Sequence, residues 1–290
     1  LNHELSSFEL RAYPSIGSRF VSEEKLGSHR KVAVITGASS GIGEVFARRL
    51  ADAGHDLLIV ARRKELLEKQ ATDLRDKTGV KVEWESLDLA DSSQLDQLVR
   101  RIEEMSSIDF LVHAAGFGYM GDFVELPIEK HLRMLDLHTT ATVKLCYAAL
   151  PKMIRAKKGV LINVSSLASW TVGPGQCVYN SSKAFIKIFT ESLHAEVRGT
   201  NVMVQALCPG VTRTGFHNTE EFAKFNSSDM PGPWMSPEDV VEESFASLAQ
   251  NRAVCVPGLK NRVLTYLFSS DTIRRLAGDK VRKRPVNESV

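Results

Sequence analysis

From Lys31 onward, short runs of β-branched and aliphatic residues alternate with longer stretches whose apolar positions recur at helical spacing, as Leu95, Leu98, Val99 and Ile102 do. The short runs predict strands over Val32–Thr36, Asp56–Ala61, Val80–Ser86, Phe110–Ala114, Val160–Ser165, Val202–Leu207 and Ala253–Val256. The longer stretches predict helices over Ile42–Ala53, Lys64–Lys77, Ser92–Met105, Ile128–Ala156, Val178–Val197 and Pro237–Gln250. Strand–helix alternation with right-handed crossovers makes a doubly wound α/β domain. The expectation is a seven-stranded parallel sheet flanked by helices, with a ligand crevice at the carboxyl ends of its strands. An arm over residues 1–30 precedes this Rossmann-type domain, which spans 31–258, and a basic extension over 259–290 follows it.

Composition changes this picture little. The 290 residues are 43% hydrophobic and 25% charged, with a formal net charge of +2, enough to bury a substantial core and no reason to expect nucleic acid as a partner. Cys146, Cys177, Cys208 and Cys255 are scattered singly, so neither a metal site nor a disulfide framework is indicated, and a reducing cytoplasm is the simpler location. No apolar run approaches the ~20 residues of a membrane span. Leu1–Arg30 mixes acidic residues with Arg and Ser and lacks the apolar centre of a signal peptide.

The first strand runs directly into T-G-A-S-S-G-I-G, Thr36 to Gly43, and then into an amphipathic helix. Glycines at Gly37, Gly41 and Gly43 let the backbone turn tightly and approach a pyrophosphate at the helix N-terminus, with Ser39, Ser40 and Ile42 completing the cradle. In the first βα unit this signals a dinucleotide rather than a plain loop. The second strand ends V-A-R-R, without the carboxylate that would accept a ribose 2′-hydroxyl. Arg62 and Arg63 suit a 2′-phosphate instead, so NADP(H) is favoured over NAD(H). Asp88, followed by Leu89, is placed to accept from the adenine amino group or to cap the next helix. His113 to Gly116, H-A-A-G, brings small residues Ala115 and Gly116 beside the adenosine ribose.

Tyr179 and Lys183 stand four apart on a predicted helix, so both project from one face. An ammonium there would favour the phenolate and bring Tyr179 into working range as an acid/base. Lys183 would also hold the nicotinamide ribose. Ser166, closing the fifth strand in N-V-S-S, would donate to a carbonyl oxygen as charge develops, while strand alternation turns its rival Ser165 to the opposite face.

These motifs resemble, in order and spacing, the short-chain dehydrogenase/reductase family over about Lys31 to Gly258. The matching set is the glycine turn, Asp88, A-A-G, Ser166, Tyr179, Lys183 and P-G-V-T-R-T from Pro209 to Thr214. The resemblance implies one Rossmann-type domain, an NAD(P)(H)-dependent oxidoreductase acting on a carbonyl or secondary alcohol, and the Ser/Tyr/Lys roles above. It also implies that Pro209, Gly210, Val211 and Thr214 border the cofactor, and that the protein is a homo-oligomer, dimer or tetramer. Two histidines depart from the family pattern, which has asparagine at both positions. His113 opens the H-A-A-G motif, and His138 takes the place of the fourth catalytic residue. Activity is expected to survive with its proton relay altered. Either the two rings lie together and replace an asparagine contact, or they changed independently.

The segment after Thr214 carries Phe216, Phe222, Phe225, Met230, Trp234 and Met235, which together with Phe117, Met120 and Trp170 suggest an apolar or bulky carbonyl substrate beneath a lid. The tail from Lys260 to Arg284 reads as a basic amphipathic helix. It either contacts an anionic membrane surface peripherally or covers the pocket or a subunit contact, and the second is favoured. Two alternatives stand beside the carbonyl reductase: an NADPH-binding sensor or scaffold with little catalysis, supported by His138, and a membrane-associated reductase of lipid or steroid-like ketones.

Overall fold

Seven parallel strands form one sheet in the order β3-β2-β1-β4-β5-β6-β7. The structure is a computed structural model that describes residues 31–214 and 234–268. Expectations for the N-terminal arm, for positions 215–233 and for the tail beyond Phe268 lie outside those residues. The strands are β1 (Val32–Thr36), β2 (Asp56–Ala61), β3 (Val82–Ser86), β4 (Phe110–His113), β5 (Gly159–Val164), β6 (Val202–Leu207) and β7 (Val254–Cys255). Between them run α1 (Gly41–Asp52), α2 (Lys64–Thr78), α3 (Ser92–Glu104), α4 (Ile128–Leu135), α5 (Ala141–Ala156), α6 (Cys177–Glu196) and α7 (Pro237–Ala249), and α8 (Leu259–Phe268) follows β7. Strand order reverses beside β1, where β2 pairs on one edge and β4 on the other, which opens a crevice at the carboxyl ends.

Strand alternation explains the two-sided core. Ala33, Ile35, Leu57 and Ile59 pack with Phe46 and Leu50 of α1, Leu67 of α2 and Val240 of α7. Val34, Leu58, Val60 and Leu111 pack on the other face with Leu95 and Leu98 of α3 and Leu145 and Met153 of α5. Both faces of the sheet are covered, which is why its strands read as near-continuous apolar runs.

Two local features differ from the sequence expectation. The helix predicted over Ile128–Ala156 is interrupted by a π-helical turn, Asp136–Thr140, in which Leu137 and His138 are buried. The extra residue re-aims His138 inward, and apolar periodicity carries no mark of such a turn. Second, Asp91 rather than Asp88 caps α3, accepting from the backbone N–H groups of Ser93 and Gln94. Asp88 is thereby left at the crevice.

After β7, the first turn of α8 packs on the body. Asn261 is buried, donates to the Pro257 carbonyl at 2.7 Å and lies against Gly210, where a side chain would leave it no room.

Candidate active site

The crevice deepens into a cavity of about 500 Å³. One end is built by main chain. Gly37 adopts φ +69°, and a Cβ there would lie 2.7 Å from the Ala114 and Ala115 backbone. Gly43 packs so closely on the Gly37 carbonyl that a side chain would overlap it. The turn and the end of β4 therefore meet backbone to backbone, leaving N–H groups at the start of α1 open to an anion. Ser39, Ser40, Ile42, Arg62, Arg63, Asp88, Leu89, Ala115 and Gly116 line this part of the cavity as expected, with Pro209, Gly210, Val211 and Thr214 on the far wall. Gly41 is not on the wall; its missing side chain admits that of Thr214, which a Cβ would meet at 2.6 Å.

The two arginines are held differently. Arg63 donates to Ser39 Oγ at 2.9 Å, to the Ser39 carbonyl at 3.3 Å and to Ser40 Oγ at 2.6 Å, bracing the glycine turn. Arg62 reaches over the Phe117 ring, 5.7 Å from its centroid. Asp88 accepts from the Ala90 backbone and is ion-paired with Arg133 of α4, a residue the motif reading missed because the pairing joins segments distant in sequence.

At the other end stand Ser166, Tyr179 and Lys183. Ser166 caps a 3₁₀ turn, Leu167–Trp170, accepting from the Ala168 N–H at 3.1 Å, and its hydroxyl also hydrogen-bonds the Tyr179 phenol. Lys183 is buried, donates to the Val164 carbonyl at 3.1 Å and places Nζ 5.9 Å from the centroid of the Tyr179 ring. Ser165 turns away from the chemistry and donates to the Lys183 carbonyl at 2.7 Å, locking α6 to β5.

Electrostatics correct one expectation. Burial pushes the Tyr179 phenol above its usual value, opposed by the Ser166 hydrogen bond, so the lysine does not bring it down toward neutrality. Burial also lowers Lys183 to about 8, with Cys208 opposing. In this arrangement Tyr179 is a protonated phenol at neutral pH, an acid rather than a base.

His113 and His138 are both buried and lie behind the cavity wall. Thr36 and His113 are register partners across β1 and β4, and Thr36 Oγ1 meets His113 Nδ1 at 2.8 Å. His138 Nδ1 lies 2.8 Å from Ser182 Oγ instead. No hydrogen bond joins the two rings, so they do not form a direct pair. Burial and the nearby Lys183 ammonium hold His113 at about 4 and His138 well below the usual histidine range, and the Leu137 and Phe117 carbonyls oppose this at His113 and His138 respectively.

Thr171, Gln176, Leu167 and Ala168 line the substrate end and escaped the sequence reading. Gln176 stands one turn before Tyr179 on the same helix face, a spacing that could have found it. Phe117 is on the wall as expected, but Trp170 lies under the Lys187 ammonium, 4.9 Å from its ring centroid, and is not on the wall.

A family model described as short chain dehydrogenase matches residues 31–224. The chain belongs to the short-chain dehydrogenase family. A short-chain dehydrogenase from Sphingobium yanoikuyae, solved in complex with NADPH, superposes with TM-score 0.75 at 30% identity, over 90% of this chain and 99% of that one. A bulky-bulky ketone specific alcohol dehydrogenase from Comamonas testosteroni gives TM-score 0.71 at 28% identity, over 90% and 98%. An oxidoreductase of Staphylococcus aureus strain USA300 is 29% identical over 227 residues, 78% of this chain and 94% of that one. This dehydrogenase is therefore an oxidoreductase acting between alcohol and carbonyl with a nicotinamide cofactor, and the side-chain-free cradle at Gly37 and Gly43 fits such a group. Among the described residues of the dehydrogenase, no helix is long and apolar enough to cross a membrane, and no cluster of His, Cys, Asp and Glu could hold a metal ion.

Proposed function

We propose that the protein is an NADP(H)-dependent reductase of apolar or bulky ketones and aldehydes, able to run in reverse as an alcohol dehydrogenase. The observation that carries this is the cavity itself. It has two arginines and no carboxylate at the end of β2, and a serine–phenol pair with a buried lysine at the opposite end. The likenesses to an NADPH-bound relative and to an enzyme specific for bulky ketones support the same reading.

The cofactor would be held by the glycine turn, Arg62, Arg63, Asp88 and the Pro209–Thr214 wall, and when bound it supplies the hydride. The protein's own part is to hold the substrate carbonyl and deliver a proton. Ser166 donates a hydrogen bond to the carbonyl oxygen as negative charge grows there, and the Tyr179 phenol gives that oxygen its proton. A phenol kept protonated by burial suits this direction. Lys183, within reach of the ring face, stabilises the phenolate left behind. Leu167, Ala168 and Phe117 exclude water from the reacting face, and Thr171 and Gln176 are polar side chains on the same wall.

The test follows NADPH consumption by absorbance across aliphatic, aromatic, diketone and bulky polycyclic ketones, with NADH in parallel. Bulky ketones are expected to turn over, faster with NADPH than with NADH. Equal or better rates with NADH would overturn the cofactor preference. Silence across the panel with NADPH bound would overturn the reductase reading.

A further inference from the structure

Thr171 and Gln176 line the cavity on the stretch that joins the 3₁₀ turn to α6, and the mechanism above gives neither a task. Both are held by partners. The Thr171 hydroxyl donates its single proton to the Ala168 carbonyl at 3.1 Å. Asn180, buried on α6, brings its amide nitrogen to 3.3 Å from the Thr171 carbonyl and 3.2 Å from Thr171 Oγ1. A main-chain carbonyl only accepts, so the Asn180 amide stands with its nitrogen toward Thr171. It does so although its own Oδ1 is left buried with no hydrogen-bond partner among the described residues.

Gln176 is fixed in the same way. Its Nε2 donates to Met120 Sδ at 3.7 Å, and a thioether has no proton to give, so the nitrogen is the atom turned to Met120. Beside it the Gly121 N–H donates to the Gly175 carbonyl at 3.0 Å, which ties the stretch to the segment after β4. What the pair offers a ligand follows from counting protons and lone pairs. Thr171 Oγ1 has given its proton and taken one from Asn180, so it can only accept, whereas Gln176 keeps one N–H and its Oε1. Leu167, Ala168 and Phe117 make the rest of this end apolar, and among the described lining residues the charged side chains other than Lys183 stand at the cofactor end. An ether or a carboxylate has no proton for Thr171, and a cation finds no counter-charge here. A neutral hydroxyl satisfies both residues.

We propose that the ketone reduced here carries, away from its carbonyl, a neutral hydroxyl that donates to Thr171 Oγ1 and accepts from Gln176 Nε2, which makes the substrates hydroxyketones and, in reverse, diols. The inference rests on the reading of the cavity as a carbonyl reductase site and names the substrate class of that site. The reacting carbonyl carbon gains the hydride and its oxygen gains the Tyr179 proton, while the second hydroxyl gains and loses nothing. Its part is to fix which way the ketone lies on an otherwise apolar wall, and it can do so because Asn180 and Met120 hold Thr171 and Gln176 in place before the ligand arrives.

The test takes bulky polycyclic ketones with a hydroxyl at successive positions away from the carbonyl, each paired with its methyl ether and its deoxy parent. At one position or more, kcat/KM with NADPH is expected to be about tenfold higher for the hydroxyketone than for both of its partners. No such position, or an ether that does as well as the hydroxyl, would overturn the proposal. Thr171→Val, which replaces the oxygen by a methyl group, is expected to bring that ratio close to one, and Thr171→Ser, which returns the oxygen, restores it. A ratio that survives Thr171→Val would overturn the role of Thr171, since a packing defect alone would affect all three ketones alike. Dissociation constants of the same ketones for NADPH-loaded Tyr179→Phe are expected to follow the same order. If they do while the wild type turns over no ketone, the reductase reading fails and this one stands; if all three ketones turn over and bind alike, the reverse holds.

Discussion

The two ends of the cavity are built from different materials. At the cofactor end, backbone meets backbone: Gly37 against Ala114 and Ala115, Gly43 against Gly37, and side chains only at the rim, where Arg63 braces Ser39 and Ser40. At the catalytic end the wall consists of ionisable side chains driven into the interior, with Lys183 lowered to about 8, Tyr179 raised and two histidines held neutral behind them. On the proposed reading the first end would bind by shape and by free N–H groups, which need no tuning. The second would work by protonation states, and burial sets those states more strongly than any neighbouring charge does.

The sharpest way to break this contrast is to remove one oxygen from the catalytic end. Tyr179→Phe keeps the ring and its packing but takes away the proton, and kcat is expected to fall by roughly a thousandfold. NADPH affinity, which belongs to the other end, should stay within about threefold by fluorescence titration. A Tyr179→Phe variant that keeps a tenth of its turnover would show that the proton comes from elsewhere.

The same division decides what was legible in the sequence. The cofactor end depends on glycines at fixed offsets after an apolar strand, and local spacing carries that information, so the turn, the arginines and the A-A-G approach were all readable. That Tyr179 and Lys183 share a wall was readable too, because i and i+4 on a helix share a face, and Ser166 reaches the same cavity from the end of β5. The remainder depended on where elements cross. The π-turn that buries His138, the Ser182 bridge, the Arg133–Asp88 pair and the side chain of Ser165 on the Lys183 carbonyl join segments far apart in the chain. The expected drop in the Tyr179 pKa failed for a related reason. Spacing shows that an ammonium is near, but not how much water burial removes.

A second test separates stability from activity by pH. Folded, Lys183 releases its proton near 8; unfolded, near 10.5. Between these values the unfolded chain holds more protons, so the lysine's contribution makes the protein more stable as pH rises through that window, by at most about 3 kcal/mol. Activity runs the other way, since the ammonium that steadies the phenolate is lost above about 8. Urea unfolding of the wild type and Lys183→Met at pH 7 and pH 10 should show the variant's stability advantage shrinking with pH. Parallel behaviour of the two proteins would mean that the buried lysine is not desolvated as the structure implies.

The smallest effect lies within the cofactor end and asks whether its two arginines are one feature or two. Arg63 places its bonds on Ser39 and Ser40, so its loss loosens the glycine turn that either nicotinamide cofactor must use. The Arg62 carbonyl accepts from Ser86 Oγ at 3.1 Å, while its guanidinium covers the Phe117 ring, which leaves the fork for a 2′-phosphate. Arg62→Ala is therefore expected to reduce the preference for NADPH over NADH about tenfold, while Arg63→Ala weakens both cofactors by a similar factor. Dissociation constants for the two cofactors with each variant decide it. If Arg63→Ala shifts the preference and Arg62→Ala does not, the phosphate is read by the residue that braces the turn, and shape and charge recognition at this end are a single device rather than two.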